Sequence, residues 1–530
     1  MGYYKDLREY IEVLAEKDKL FRITREINKD ADLVPLVRWQ FQGLPESKRK
    51  AFLFDNVIDA RGRRFPGPVL VAAYAPSREI YALGMKCRPE EISDIWARGQ
   101  DHPLAPRMVE TGPAQEEIHM GEGLLEHGGL DEFPMPVTTP GFDNAPYLSA
   151  ASWVSKDPET GIRNVGVYRG MVKSKTRLGI NCLAPQHLRT QWEKCRERGL
   201  TLPAAIVIGG PPSIGYVGVG KFPYGVDEYT IAGGMVGEAV PLIKCQTVDL
   251  EVPATAEIVI EGELPTDSLE REGPHGEHTG YIGLGQLNPY FNVKCITHRK
   301  NPVYAVFVDQ FPPSEDSKIR TIGFEATYYK FLRYSCNIPG VLEVFIHEES
   351  GGAQLIVVKM KKRYTAEAWQ VLNGVATFNP LHGKYIIVVD DDIDPGDMNA
   401  VLWALCYRVQ PHRDIRITPG KTAALDPSAM TSQEMRGRTE RAPTSAMLID
   451  ATRKWAYPPV ALPKKEFMER AKRIWEEEGL PTLETKALWF GYSLGDWSRE
   501  DEEEAELAVR GEHYVTGDKL ARERIKSGPG

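Results

Sequence analysis

Five stretches of the chain carry side chains that could work together as a chemical site. The first is Arg163-Asn164-Val165-Gly166-Val167-Tyr168-Arg169-Gly170-Met171-Val172, which has the composition of a strand. Alternation along a strand puts Asn164 and Arg169 on opposite faces, one suited to a metal or phosphate and the other to an anion. Gly166 between them would let a ligand approach the backbone. The same side chains would serve equally as surface or interstrand hydrogen-bond partners. The second stretch is Ala184-Pro185-Gln186-His187-Leu188, where Pro185 suits a first helical turn and Gly199 closes the helix. His187 then sits at a positive helix end, as a divalent-metal ligand or as a cap.

In the third stretch, Tyr224-Gly225-Val226-Asp227-Glu228-Tyr229-Thr230, Asp227 caps a helix and Glu228 falls in its first turn. Both acids complement the helix dipole. Alternatively, Glu228 joins Asn164 and His187 in an oxygen, nitrogen, oxygen set that suits Mn²⁺, Mg²⁺ or Fe²⁺ and leaves positions for a phosphate oxygen and water. The fourth, Arg271-Glu272-Gly273-Pro274-His275-Gly276-Glu277-His278, is too rich in Gly and Pro for a regular element. It is either an exposed turn or, if Arg169 lies between Glu272 and Glu277, a pair in which one acid stays ionised and the other keeps a proton to deliver. The fifth runs from Asn379 to Asp392, where Lys384 enters a buried strand and could meet a phosphate as a point charge. Asp390, Asp391 and Asp392 at its far end read as turn and cap residues or as a metal site. The sequence holds neither a Gly-x-Gly-x-x-Gly dinucleotide loop nor a Walker-type phosphate loop.

The elements that must position these residues fall into successive zones of a 530-residue chain, long enough for about three or four domains. Residues 1–120 mix helical stretches (Tyr4 to Lys17, Leu33 to Phe41) with a strand-like run at Pro68 to Ala73, an α/β unit. Residues 121–315 show short strands of period two, as in Val165 to Lys173, and predict a mostly β domain. Residues 316–460 alternate strand and helix: Val341 to Ile346, Ala353 to Lys361, Ala366 to Leu372, Tyr385 to Asp390 and Asp397 to Arg408. That order predicts a parallel or mixed sheet covered by helices, so the class is α/β in several domains. Residues 461–530 form a helical tail with an amphipathic helix at Lys464 to Gly479 and an acidic run, Glu500 to Glu506, that reads as a solvated face. The aromatic segment Trp489-Phe490-Gly491-Tyr492 gives no chemical clue.

Composition narrows the function. A net charge of −9 has the wrong sign for a chain whose main partner is nucleic acid. Seven cysteines without a Cys-x-x-Cys pair suit a reducing cytoplasm. The amphipathic, charged start and the lack of any apolar run near 18 residues argue against secretion and membrane spanning.

Taken in order, the five stretches resemble the UbiD family of prenylated-flavin-dependent decarboxylases over most of the chain. The family's Asn, four residues, Arg is similar to Asn164 and Arg169, its Gln-His pair to Gln186 and His187, and its metal glutamate to Glu228. Its Glu-Gly-Pro-x-Gly-Glu loop is similar to Glu272 to Glu277, and its flavin-phosphate lysine to Lys384. The resemblance implies an N-terminal α/β domain, a central split β-barrel that binds prenylated FMN, and a C-terminal α/β domain with a terminal oligomerisation helix. It implies that Gly166, Val167, Tyr168, Arg169, Gln186, His187, Glu228 and Lys384 contact the cofactor. Asn164, His187 and Glu228 would hold a divalent cation, usually Mn²⁺, with K⁺ nearby. Arg169, Glu272 and Glu277 would be the catalytic network: Arg169 orienting the substrate carboxylate, Glu272 holding Arg169, and Glu277 returning a proton. The implied partners are a small carboxylic acid and CO₂, a flavin prenyltransferase that supplies the cofactor, and further copies of the chain in a homodimer or homohexamer. Two departures bear on the pocket: Gly166 stands where several members carry a hydroxyl, and His275 where many carry an aromatic residue. Aromatic acids are the first expectation for the substrate, then acrylic-type acids, with an aryl-carboxylate coenzyme A thioester as an alternative. Competing readings are a flavin-dependent oxidoreductase on a similar barrel and a flavin carrier without activity of its own.

Overall fold

The computed structural model describes residues 4–182, 185–423, 425–431, 434, 442–483 and 496–523. Ala184 and the segment Trp489 to Tyr492 lie outside the described residues. The N-terminal sheet begins with strand Leu20–Asn28, parallel to Ala51–Ile58, which pairs antiparallel with Val69–Val71. Its last strand, Tyr304–Val306, comes from much later in the chain and runs parallel to Val69–Val71. The run from Tyr304 to Val308 is wholly buried, as a strand covered on both faces requires. The N-terminal sheet and the middle of the chain therefore share one continuous core, from Tyr4 to Ala326.

The middle of the chain forms a nine-stranded sheet. Along it, the order is Tyr147–Leu148, Gly170–Ser174, Arg177–Ile180, Tyr290–His298, Ile258–Leu264, Leu202–Ile208, Ala151–Lys156 and Arg163–Val167, with Glu117–Met120 pairing beside Tyr290–His298. Every pairing in it is antiparallel. Strands Arg163–Val167 and Gly170–Ser174 belong to opposite ends of this order, yet only Tyr168 and Arg169 separate them. Three peptide steps span at most about 11 Å, so the sheet must curl until its two edges nearly meet. This is a split barrel, and Arg169 sits on the bridge across the split. The expected strand through Val165 to Lys173 is thus two strands. Asn164 and Arg169 do not follow one alternation, because the chain leaves one edge after Val167 and at Gly170 joins the strand next to the other edge, Tyr147–Leu148.

The C-terminal sheet runs Val341–Ile346, Leu355–Met360, Tyr385–Asp390, Ala442–Ala451, Ile415–Ala423, with two central parallel pairings and antiparallel edges. Alternation divides its side chains cleanly. Ile356, Val358, Ile386 and Val388 pack with helix Glu367–Phe378 on one face, whereas Val357, Ile387 and Val389 pack with helix Met398–Arg408 on the other. Asp397 caps that second helix, accepting the Asn399 N–H at 3.0 Å. Asp390 and Asp392 serve neither as caps nor as an open metal site: both bind the buried Arg408 guanidinium, at 3.0 and 2.7 Å. Tail helices Lys465–Glu477, Arg499–Val509 and Tyr514–Arg522 bury none of their residues within the chain. Among the described residues, no helix is long and apolar enough to cross a membrane.

Candidate active site

The loop after Glu272 is an ordered buried structure rather than an exposed turn. Strand Glu270–Glu272 pairs with Gln286–Asn288, and His275–Gly276 pairs with Ile282–Gly283. Gly273 between them has φ +97°, a conformation that other residues rarely adopt. The neighbouring segment pins the loop: the Asn144 amide donates to the Gly273 carbonyl at 3.2 Å, the Tyr147 hydroxyl to the Pro274 carbonyl at 3.2 Å, and the Gly276 N–H to Asp143 at 3.0 Å. Glu272 and His275 are fully buried as a result.

Arg169 meets this loop from the barrel's split. Its Nε and Nη2 donate to Glu272 at 2.9 and 2.7 Å in a bidentate fork, and its Nη1 contacts Glu277 Oε1. One guanidinium thus lies between two carboxylates, all three buried. Burial opposes a charged guanidinium here, but the Glu272 charge and fork outweigh it and raise Arg169 above its ordinary value. The two acids differ in access. Glu277 lines a cavity of about 370 Å³, whereas Glu272 lies behind Arg169 and does not.

Asn164 and His187 meet at strand Arg163–Val167, and Glu228 reaches the backbone of the same strand at Val165. Helix His187–Glu197 starts at His187 with Gln186 as its cap, so Pro185 precedes the helix rather than entering its first turn. His187 Nδ1 lies 3.2 Å from Asn164 Oδ1. Asp227 caps helix Glu228–Val236 through the Tyr229 N–H at 3.1 Å, which turns Glu228 inward to accept the Val165 N–H at 2.7 Å. Burial pushes the Glu228 carboxyl up to about 8, against the pull of that N–H. Burial and then Lys221 lower His187, which keeps its ring neutral. Gly166 serves a different purpose from the expected ligand approach: a Cβ there would lie 2.6 Å from the Tyr168 ring, so the glycine makes room for Tyr168.

Val167, Tyr168, Arg169, Gln186, Glu277 and Lys384 share the 370 Å³ cavity, which lies between the barrel's split and the C-terminal sheet. Lys384 is held there by Asp426 at 2.7 Å and Ser428 at 2.8 Å. The cavity also holds titratable groups to which the sequence reading gave no role: His278, Asp309, Arg320 and His382. His278 Nδ1 lies 3.5 Å from Glu277 and 3.6 Å from Asp316; burial, reinforced by Arg320, pushes it down to about 3, so the ring is neutral. Asp309 and Asp316 are pushed apart. Burial and the Asp316 charge drive Asp309 well above the carboxylate range, while Asp316, despite burial, is held ionised by Arg320 at 2.7 Å. His278 directly follows Glu277 and was visible as a neighbour. Asp309, Asp316 and Arg320 gave no sequence signal: Asp309 follows strand Tyr304–Val306, and helix Glu315–Lys330 brings Arg320 to the cavity with Asp316 bound behind it.

Residues 107–310 match the family described as 3-octaprenyl-4-hydroxybenzoate carboxy-lyase Rift-related domain, and residues 319–451 match the corresponding C-terminal domain. The chain is 32% identical over 510 residues to an uncharacterised protein of Aquifex aeolicus, covering 91% of this chain and 100% of the relative. Among solved structures it is similar to an evolved dimeric form of the UbiD-class enzyme HmfF from Pelotomaculum thermopropionicum in complex with prFMN. That match has a TM-score of 0.75 and 28% identity, over 88% of this chain and 99% of that one. It is also similar to the closed form of vanillic acid decarboxylase from Sedimentibacter hydroxybenzoicus, with a TM-score of 0.77 and 26% identity, over 90% of this chain and 100% of the other.

Proposed function

The chain belongs to the UbiD family of carboxy-lyases, and from that premise we propose that it is a reversible prenylated-FMN-dependent decarboxylase of an aromatic or α,β-unsaturated carboxylic acid. The observation that carries this reading is the Glu272–Arg169–Glu277 chain at the cavity wall. Loss of CO₂ from an unsaturated carbon leaves an electron pair that no side chain delocalises, and the prenylated flavin, when bound, supplies that electron sink. Arg169 orients the leaving carboxylate, because its fork to Glu272 fixes the guanidinium plane at the cavity. Glu272, shielded behind Arg169, keeps that plane in place. Glu277, on the cavity side, returns the proton to the carbon that CO₂ leaves. The neutral His278 beside it adds no competing charge.

The residues fit the cofactor. A space of about 10 Å³ lined by Asn164, His187, Gln191 and Tyr224 has room for a single ion. The Glu228 carboxyl, which burial keeps from ionising alone, would ionise against a cation. Asn164, His187 and Glu228 would therefore hold a divalent cation, Mn²⁺ by preference, with K⁺ nearby, against the flavin phosphate. Lys384 would add a second positive charge, and Gln186 with Val167 to Arg169 would border the flavin. The apolar cavity residues Phe324, Leu381 and Tyr281 favour a planar aromatic acid. The exposed tail helices would join copies into a homodimer or homohexamer.

The test is to co-express the chain with a flavin prenyltransferase, record the mass and spectrum of the bound cofactor, and screen aromatic and unsaturated acids for CO₂ release. Bound prenylated FMN with CO₂ release from at least one acid is expected. A holoprotein that is bleached rapidly by NADPH and releases no CO₂ would replace this reading with the oxidoreductase one.

A further inference from the structure

A second cavity, of about 340 Å³, shares no lining residue with the first. It is lined by His119, His127, Glu132 and His298. His119 lies on strand Glu117–Met120 opposite Ile296, and His298 is two residues further along the partner strand. The period-two alternation of strands puts both imidazoles on one face of the sheet as diagonal neighbours. Glu132 reaches them from the short turn Gly129–Glu132. The His119 and His298 Nε2 atoms are 3.0 Å apart, His298 Nε2 is 3.3 Å from Glu132 Oε1, and His119 Nε2 is 3.9 Å from Glu132 Oε2.

Positive charge is needed at the centre of this arrangement. His298 Nδ1 donates to the Arg299 carbonyl at 2.7 Å, and its Nε2 faces Glu132 Oε1, so a proton or a cation must lie between them. Despite burial, Glu132 and the Arg299 carbonyl raise His298 above its ordinary value, and a protonated ring is the metal-free alternative. That alternative leaves Glu132 Oε2 buried with no hydrogen-bond partner. A cation in the middle satisfies every one of these atoms. Ligands at about 2.0–2.1 Å from a tetrahedral ion stand about 3.3–3.4 Å from one another, which the observed 3.0 to 3.9 Å separations bracket. The backbone carbonyl on His298 Nδ1 is also the kind of outer contact that aims a metal-bound imidazole.

We propose that His119, His298 and Glu132 bind a divalent cation of the zinc class. Two imidazoles and one carboxylate are a borderline donor set, better suited to Zn²⁺ than to the harder Mg²⁺ or Ca²⁺. The fourth position faces the cavity and is open to water or to His127, whose ring lies 4.8 Å from that of His119. The ion would tie the turn Gly129–Glu132 to the two paired strands that carry His119 and His298. Its role is structural.

The experiment titrates chelator-stripped full-length chain with Zn²⁺ alone and counts bound metal by mass spectrometry, in the wild type and in His119→Ala, Glu132→Gln and His187→Ala. One Zn²⁺ per chain is expected to persist in His187→Ala, which separates this site from the cofactor's cation. In His119→Ala and Glu132→Gln its Kd should weaken by about a hundredfold or more, beyond the usual cost of losing an outer contact. Zn²⁺ should also raise the melting temperature of the wild type but not of Glu132→Gln. Equal uptake by the wild type and Glu132→Gln, or no uptake that survives His187→Ala, overturns the proposal. Glu132 lies in a surface turn, so Glu132→Gln serves even if His119→Ala fails to fold.

Discussion

Among the described residues, two histidine and carboxylate clusters line cavities, and they differ in one component. At the large cavity, Glu272 and Glu277 are bridged by Arg169, and Asp316 is bound by Arg320. At the second cavity, no guanidinium stands among the described lining residues, and Lys300 is the one permanently charged cation there among them. A buried carboxylate must find compensating positive charge, and its source decides what the cluster can do. A fixed guanidinium occupies the acids and fixes their geometry, which suits proton delivery to a positioned substrate. Without it, the donors stay open to a cation.

The largest effect expected from this contrast lies at Glu277. Glu277→Gln keeps the shape and removes the proton, so CO₂ release should fall by about 10²- to 10⁴-fold while bound flavin is unchanged. Full turnover in the variant would take Glu277 out of its role. Next is Arg169→Lys, which keeps the charge but loses the fork to Glu272. Stability should drop by about 1.5–3 kcal/mol, one charged hydrogen bond, in denaturant titrations of the flavin-free chain, and turnover should fall with it. An unchanged denaturation midpoint would show that the fork holds nothing in place.

The third effect depends on pH. His278 titrates near 3 in the folded chain against an ordinary value of 6.5, so its contribution to stability is full above pH 6.5 and is lost as pH falls from 6.5 through about 3. His278→Asn should flatten that acid limb of a melting-temperature profile, and an identical limb in both proteins would contradict the buried neutral ring. The smallest effect is at Asp309. Burial and the Asp316 charge push this carboxyl well above the carboxylate range, so Asp309→Asn, which keeps the shape of the neutral acid, should change stability at pH 7 by no more than roughly 1 kcal/mol. A larger loss would mean that the aspartate is ionised.

The contrast also separates what the sequence could reveal from what it could not. Three of the five C-terminal strands were readable, because continuous apolar runs such as Tyr385–Asp390 announce buried strands; Ile415–Ala423 and Ala442–Ala451 were not read. Asn164, His187, Glu228 and the Glu272 to Glu277 loop were readable as separate chemical signals. Their meeting stood there only as one alternative and as what the family resemblance implies, because it depends on the curl of the barrel. A strand read through Tyr168 and Arg169 hid the step between sheet edges, and this misplaced the face of Arg169. Asp309 and Asp316 carry no local pattern; only the packing of helix Glu315–Lys330 makes them a coupled pair. The second cluster escaped notice because His119 and His298 are 179 residues apart and meet through strand register.

The bridge of Tyr168 and Arg169 is only two residues long. Lengthening it by a residue would swing the guanidinium off its acids, and shortening it would pull the two sheet edges out of register. The facing wall of the cavity is free of that constraint: Phe324, Leu381 and His382 come from the other half of the chain. Exchanging that half between relatives should transplant substrate choice and leave the reaction itself behind.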